Sequence, residues 1–203
     1  MTEPQPKSHL IIGLIGQAGS GKDSAALLLL QHWKLAGHVA FVTSFADPIR
    51  AMCREFLLHA GVQHPDRYLF DRELKETLIP EIGVSYRHLA QTLGTEWGQQ
   101  CIGRDAWIRA LDYRMKTHCN HGGTHFVVPD VRFTFEADWL CSQGGVIWRI
   151  ERPGVVPVRA HVSESESTHI SSHRVILNDG TLTDLAQTVG FELTRLKHER
   201  GLA

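Results

Sequence analysis

Apolar residues gather in short unbroken runs at five places along the chain, with wider-spaced stripes between them. The first run, residues 9–15, is rich in branched side chains and leads into glycine-rich sequence, which predicts a parallel strand buried on both faces. Residues 23–35 hold neither Gly nor Pro and predict a helix ending near Gly37. A second strand is expected over residues 38–43. Strand, helix and strand in that order imply an α/β protein with a right-handed crossover. From residue 46 to about residue 120 the spacing is largely helical and no strong strand stands out. Pro48 sits at a first helical position, and breaks fall near residues 61–65, 80–83 and 101–104. Strands return at residues 125–128 and 146–150, on either side of a helix over residues 133–141. A weaker strand at residues 174–177 runs into the turn Asn178-Asp179-Gly180, and a last helix starts at Thr183. The polar, serine- and histidine-rich stretch 153–173 reads as a mobile excursion rather than a linker, because a strand and a helix follow it.

The turn after the first strand carries specific chemistry. Gly16, Gln17, Ala18, Gly19, Ser20, Gly21 and Lys22 meet the pattern G-x-x-x-x-G-K between a strand and a helix. Glycines let the backbone wrap so that successive N–H groups face phosphate oxygens. The helix start adds partial positive charge, and the lysine reaches the β and γ phosphates of a nucleoside triphosphate such as ATP. The position after Lys22, often a Ser or Thr that binds Mg²⁺, is Asp23, with Ser24 next. Either oxygen suits a hard cation, and Asp23 also fits a plain charge at a helix start. A dinucleotide-binding G-x-G-x-x-G cannot be laid over this stretch.

A second acidic site follows the strand at residues 125–128. Asp130 closes an apolar strand as a Walker B carboxylate does, which makes it a third candidate for Mg²⁺. Arg132 stands close by as a cation for the transferred phosphate. Asp130 at that place also fits a helix cap.

Composition narrows the class. An apolar fraction of 42% and a charged fraction of 21% belong to a globular chain, and 203 residues suffice for an ordinary core. A net charge of −1 gives no global pull toward nucleic acid polymers or anionic membranes. Cys53, Cys101, Cys119 and Cys141 form no paired motif, which suits free thiols in a reducing cytoplasm. The first residues lack a signal peptide's apolar stretch, and the longest apolar run, residues 25–30, is too short to span a bilayer. The histidines between His118 and His125 crowd one glycine-containing loop, unlike spaced zinc ligands, and read as a connection. His161, His169 and His173 read as hydrogen-bonding groups.

Several short motifs taken together resemble a known family. They are Gly16 to Ser24, then Ser44-Phe45-Ala46-Asp47-Pro48 and Leu93-Gly94-Thr95-Glu96. Asp130-Val131-Arg132-Phe133 follows with Glu136-Ala137-Asp138, then residues 144–154, His161-Val162-Ser163-Glu164 and Asn178-Asp179-Gly180-Thr181-Leu182. In this order they resemble the deoxynucleoside monophosphate kinases of tailed bacteriophages and, more distantly, phosphomevalonate kinase. The resemblance implies one P-loop kinase domain: a parallel central sheet flanked by helices, a helical acceptor-binding region and a lid. Its core would be about residues 9–45, 124–152 and 174–203, the acceptor region about 46–120 and the lid about 153–173. It also implies γ-phosphate transfer from ATP with Mg²⁺ to a deoxynucleoside monophosphate in the host cytoplasm, by a chain that is often dimeric.

Roles follow from the charge that such a reaction spreads over phosphate oxygens. Lys22 and the loop amides hold the donor, Arg132 stabilises the transition state, and Arg152 and Arg159 clamp donor phosphates or remain solvated. For the acceptor phosphate the candidates are Arg50, Lys75, Arg87 and Arg104. Arg87 and Gln91 share a helix face at i and i+4. Phe45, Asp47 and Glu96 join them, and Trp107 either stacks on a base or belongs to a core. Competing acceptors are a hydroxymethylated base in DNA, phosphomevalonate or dephospho-coenzyme A. A nucleotide-dependent switch or assembly ATPase uses the same loop without any acceptor.

Overall fold

A computed structural model describes residues 9–71, 73–154 and 167–202. Most of the segment expected to be a lid, with Arg159, lies outside these residues. The first apolar run becomes β1 (Leu10–Ile15), every residue of which is buried, and the glycine-rich turn opens α1 (Lys22–Leu35). The second strand, β2 (Ala40–Val42), is shorter than the run that announced it. Helices α2 (Asp47–His59) and α3 (Pro65–Phe70) come next, each with a proline in its first turn, where a missing N–H costs nothing.

Between residues 46 and 120, where no strong strand stands out from the sequence, two very short strands form. Two-residue strands β3 (Leu78–Ile79) and β4 (Val84–Ser85) pair antiparallel around the break expected at residues 80–83. They are too short to show a period. Then follow α4 (Tyr86–Gln91), a π-helix (Thr92–Ile102) and α5 (Ala106–Asn120). The chain closes with β5 (His125–Val128), α6 (Thr134–Ser142), β6 (Val146–Glu151), β7 (Arg174–Leu177) and α7 (Leu182–Glu199).

The large sheet has the order β2-β5-β1-β6-β7, and all its pairings are parallel. That is the α/β architecture expected from the order of elements. Because the strands run one way, their carboxyl ends share one rim, where open α/β sheets gather ligands. Gly16 follows β1 there, Asp130 follows β5, Arg152 follows β6 and Asn178 follows β7. On one face of the sheet, Leu10, Ile12 and Leu14 pack with Ala25, Leu29 and Trp33 of α1 and with Leu185, Val189 and Leu193 of α7. Burying each such side chain is worth about 1.5–3 kcal/mol, so this layer makes the rim a rigid platform.

The chain divides into two compact units. The described residues of Met1–Ser44 and Arg114–Ala203 form one, and those of Phe45–Tyr113 form the other. The second has its own core of Cys53, Leu57, Val62, Leu69, Ile79 and Tyr86. In its π-helix, Gly98 lies under the Trp107 ring, where a Cβ would come within 2.2 Å of ring carbon. No described helix is long and apolar enough to cross a membrane.

His125 titrates far from its ordinary range. It is 4% exposed, stacks on His38 with ring centroids 4.3 Å apart, and shares a hydrogen bond of 2.7 Å with the Thr124 hydroxyl. Burial, then the charges of His38, Lys197 and His9, push its pKa down from 6.5 to about 4. The unfolded chain therefore binds the extra proton first as pH falls. Stability contributed by neutral His125 is complete above about 6.5 and is lost as pH drops through about 4. Denaturant unfolding between pH 7 and 4 should show this decline, and His125→Phe should make it shallower.

Candidate active site

The loop between β1 and α1 has a backbone that only glycines adopt easily. Gly16, Gly19 and Gly21 take φ of 145°, 84° and 100°, values that other residues adopt only under strain. Space is as restrictive as torsion. A Cβ on Gly16 would lie 2.3 Å from the Ile150 carbonyl oxygen and 2.8 Å from the Ser20 hydroxyl. Gly21 is the N-cap of α1 and offers no side-chain acceptor, so the first-turn amides keep their capacity for an anion.

Lys22 is half-buried, and its ammonium donates to the carbonyls of Gly16 at 2.6 Å and Gln17 at 2.8 Å. The lysine is thus curled over its own loop, with its charge held where phosphate oxygens would compete for it. Ser20 is 1% exposed, and its hydroxyl has no partner among the described residues. Orphaned buried hydroxyls are uncommon, and a ligand oxygen or an ordered water would satisfy this one. Asp23 is exposed in the first turn of α1 and Ser24 is half-buried beside it.

Beside the loop lies a cavity of about 340 Å³, lined by Gly16, Gln17 and Ser20, by the ends of β6 and β7, and by Arg149 and Arg152. Arg152 therefore lines this cavity beside the glycine-rich loop. Arg149, which was not foreseen, donates to the carbonyl of Ile170 at 2.7 Å and also to those of Ser167 and Thr168. It ties that turn to β6 and shapes the cavity wall.

Asp130 is half-buried, and the Ser44 hydroxyl donates to its Oδ2. Ser44 belongs to the motif noticed in the sequence, but only the parallel pairing of β2 with β5 reveals its partner. Arg132 is exposed, and its guanidinium makes no hydrogen bond or ion pair among the described residues. Its backbone is fixed, since the amides of Arg132 and Phe133 donate to Glu136 Oε2 at 2.8 and 3.1 Å. Burial pushes the Glu136 carboxyl up to about 8, against the pull of these amides and with Asp130 repelling its charge. Asp130, Asp23 and Ser24 carry the hard oxygen donors that a magnesium ion takes, while the described residues hold no cluster of three or more His, Cys, Asp or Glu side chains suited to a metal.

The acceptor candidates fall on the second unit. Arg50 donates to Asp47 at 2.6 Å within α2, and Arg87 pairs with Glu76. Arg87 and Gln91 do share α4, as their spacing required. Lys75 is half-buried in a single 3₁₀ turn, Phe45 is 4% exposed, and Glu96 and Arg104 are exposed. Trp107 is a core residue here: it is 7% exposed, it covers Gly98, and its indole N–H donates to the Gly94 carbonyl at 2.7 Å. Trp97 is the more open ring, 44% exposed.

Known proteins add a family. A model of the family described as deoxynucleotide monophosphate kinase matches residues 67–189. A putative deoxynucleotide monophosphate kinase of Acanthamoeba polyphaga mimivirus is 30% identical in a 192-residue alignment that covers 86% of this chain and 91% of that protein. The deoxynucleotide monophosphate kinase of Enterobacteria phage T4 is 34% identical over 103 residues, which are 50% of this chain and 42% of that protein. A solved dephospho-CoA kinase from Campylobacter jejuni covers 93% of this chain at 9% identity and a TM-score of 0.46.

The close approach at Gly16 leads to a direct test. Gly16→Ala should lower unfolding stability by about 1–3 kcal/mol and abolish detectable ATP binding. Wild-type ATP affinity in that variant, measured by calorimetry, would show that this loop shape is irrelevant to the ligand.

Proposed function

The chain belongs to the deoxynucleotide monophosphate kinase family, and from that premise we propose that it moves the γ-phosphate of ATP to the 5'-phosphate of a deoxynucleoside monophosphate. The products are ADP and the deoxynucleoside diphosphate, a step that supplies DNA synthesis in the host cytoplasm. The observation that carries this reading is the cradle of residues 16–22 on the same rim as Asp130, beside a cavity of about 340 Å³.

Phosphoryl transfer needs alignment and positive charge more than covalent help. On this reading the loop amides and the Ser20 hydroxyl hold donor oxygens, and Lys22 exchanges its two carbonyl partners for phosphate. Arg152 contacts the donor from the end of β6. Asp130, oriented by Ser44, would hold a magnesium ion together with Asp23 or Ser24, and such an ion when bound would neutralise charge on the donor phosphates. Arg132 places a guanidinium, on a backbone tied down by Glu136, for the charge that spreads over the transferred group.

The acceptor falls to the second unit. Arg50 and Arg87 each face a carboxylate, Asp47 and Glu76, which holds the fork in one orientation. A phosphate dianion carries more charge than either carboxylate and takes over such a fork. Lys75, Gln91, Glu96 and Arg104 stand on the same unit for phosphate, sugar or base.

A coupled assay over all deoxynucleoside monophosphates, 5-hydroxymethylated ones included, tests the proposal. ATP consumption should rise strongly with at least one of them, and Lys22→Ala should cut turnover by about 100-fold or more with the fold unchanged by circular dichroism. Labelling of hydroxymethylated DNA with no free monophosphate turned over would reassign the acceptor. ATP consumption indifferent to every acceptor would make the protein a switch.

A further inference from the structure

We infer that Asn178 is a positioning residue for the donor: it fixes the phosphate loop from the carboxyl end of β7 and thereby sets the affinity for ATP. The inference rests on the reading of residues 16–22 as the donor loop. Asn178 is 6% exposed, and its backbone amide donates to the Glu151 carbonyl at 2.7 Å, which seats it on the rim beside the end of β6. Its side-chain Nδ2 donates to the Ser20 carbonyl at 2.8 Å, across 158 residues of sequence. The acceptor there is a carbonyl, so the carboxamide must turn its NH₂ and not its oxygen toward the loop.

The same nitrogen occupies the space that a side chain at position 21 would need, since a Cβ on Gly21 would lie 2.4 Å from it. One carboxamide therefore does two things. It captures the Ser20 carbonyl, and it fills the place left empty by the glycine that starts α1. The consequence for a ligand comes from peptide geometry. In a trans peptide the C=O and the following N–H point to opposite sides. Holding the Ser20 oxygen toward Asn178 turns the Gly21 N–H away from it, and that amide is one of the α1 donors left without a side-chain cap. The Ser20 hydroxyl, buried and unpartnered at the cavity wall, is held by the same peptide unit. Without Asn178 this peptide is free to rotate, and the loop pays an ordering cost whenever it binds a polyphosphate.

The experiment compares Asn178→Asp and Asn178→Ala with wild type and Lys22→Ala, all as full-length chains. It measures the Kd for ATP without acceptor, KM for ATP, and KM for a deoxynucleoside monophosphate that the wild type turns over. Asn178→Asp keeps the size of the side chain, loses the donor and sets an anion against the carbonyl. Its Kd and KM for ATP should rise about tenfold or more, with the acceptor KM within about twofold. Asn178→Ala should move the same constants by less. ATP affinity unchanged in either folded variant, or equal rises in both KM values, would overturn the inference. So would failure of both variants to fold, because the bond is assigned to the loop and not to the stability of the sheet. Wild-type ATP affinity in Lys22→Ala would sink the donor-loop reading instead. A weakened Lys22→Ala beside unaffected Asn178 variants would sink only the role of Asn178.

Discussion

The chemistry of this chain depends on the parallel register of its large sheet. Hydrogen bonding in one direction forces every strand to release its chain at the same edge, whatever the distance in sequence. Residues from positions 16, 44, 130, 152 and 178 thus share one rim although nothing local relates them. Burial of β1 on both faces holds that rim still, because a central strand without solvent contact has no cheap way to slide.

On this platform, charge is arranged around backbone groups. The loop presents amides at one end and turns carbonyls of Gly16 and Gln17 to the Lys22 ammonium at the other. Asp130 has Ser44 as donor, while Glu136 is buried and bound to two amides, so the two carboxyls differ in environment. The nearer one to solvent suits a cation, and the buried one holds the backbone that carries Arg132. Among the described residues of this rim, Asp130, Glu136 and Lys22 have hydrogen-bond partners, and Arg132 is exposed.

Much of this was legible in the sequence because it is local. The G-x-x-x-x-G-K turn, the strand before it and the helix after it lie within a few residues of one another, and each of the five apolar runs became a strand. What the sequence hid is long-range. Ser44 was visible as part of a motif but had no partner until β2 was seen to lie beside β5, and Asn178 looked like a turn residue. Arg149 reads as one more strand residue until its three carbonyl partners are known. The π-helix from Thr92 and the paired strands at residues 78–85 were missed for another reason. The π-helix departs from the period of 3.6, and the two strands are too short to show the period of 2, on which pattern reading relies. Trp107 shows the reverse case, since an aromatic that suits base stacking is equally suited to a core, and only its buried N–H bond to Gly94 decides.

The seat of the Trp107 ring over Gly98 ties two positions into one unit of inheritance. The ring of Trp107 fits only because position 98 has no side chain, and the widened helix that holds Gly94 and Gly98 brings both glycines to the indole. A lineage that gains a methyl at position 98 has to trim the ring at position 107 in the same period of its history. Among relatives the two sites should vary jointly or not at all, and a lone change at either marks a chain whose second unit has been rebuilt.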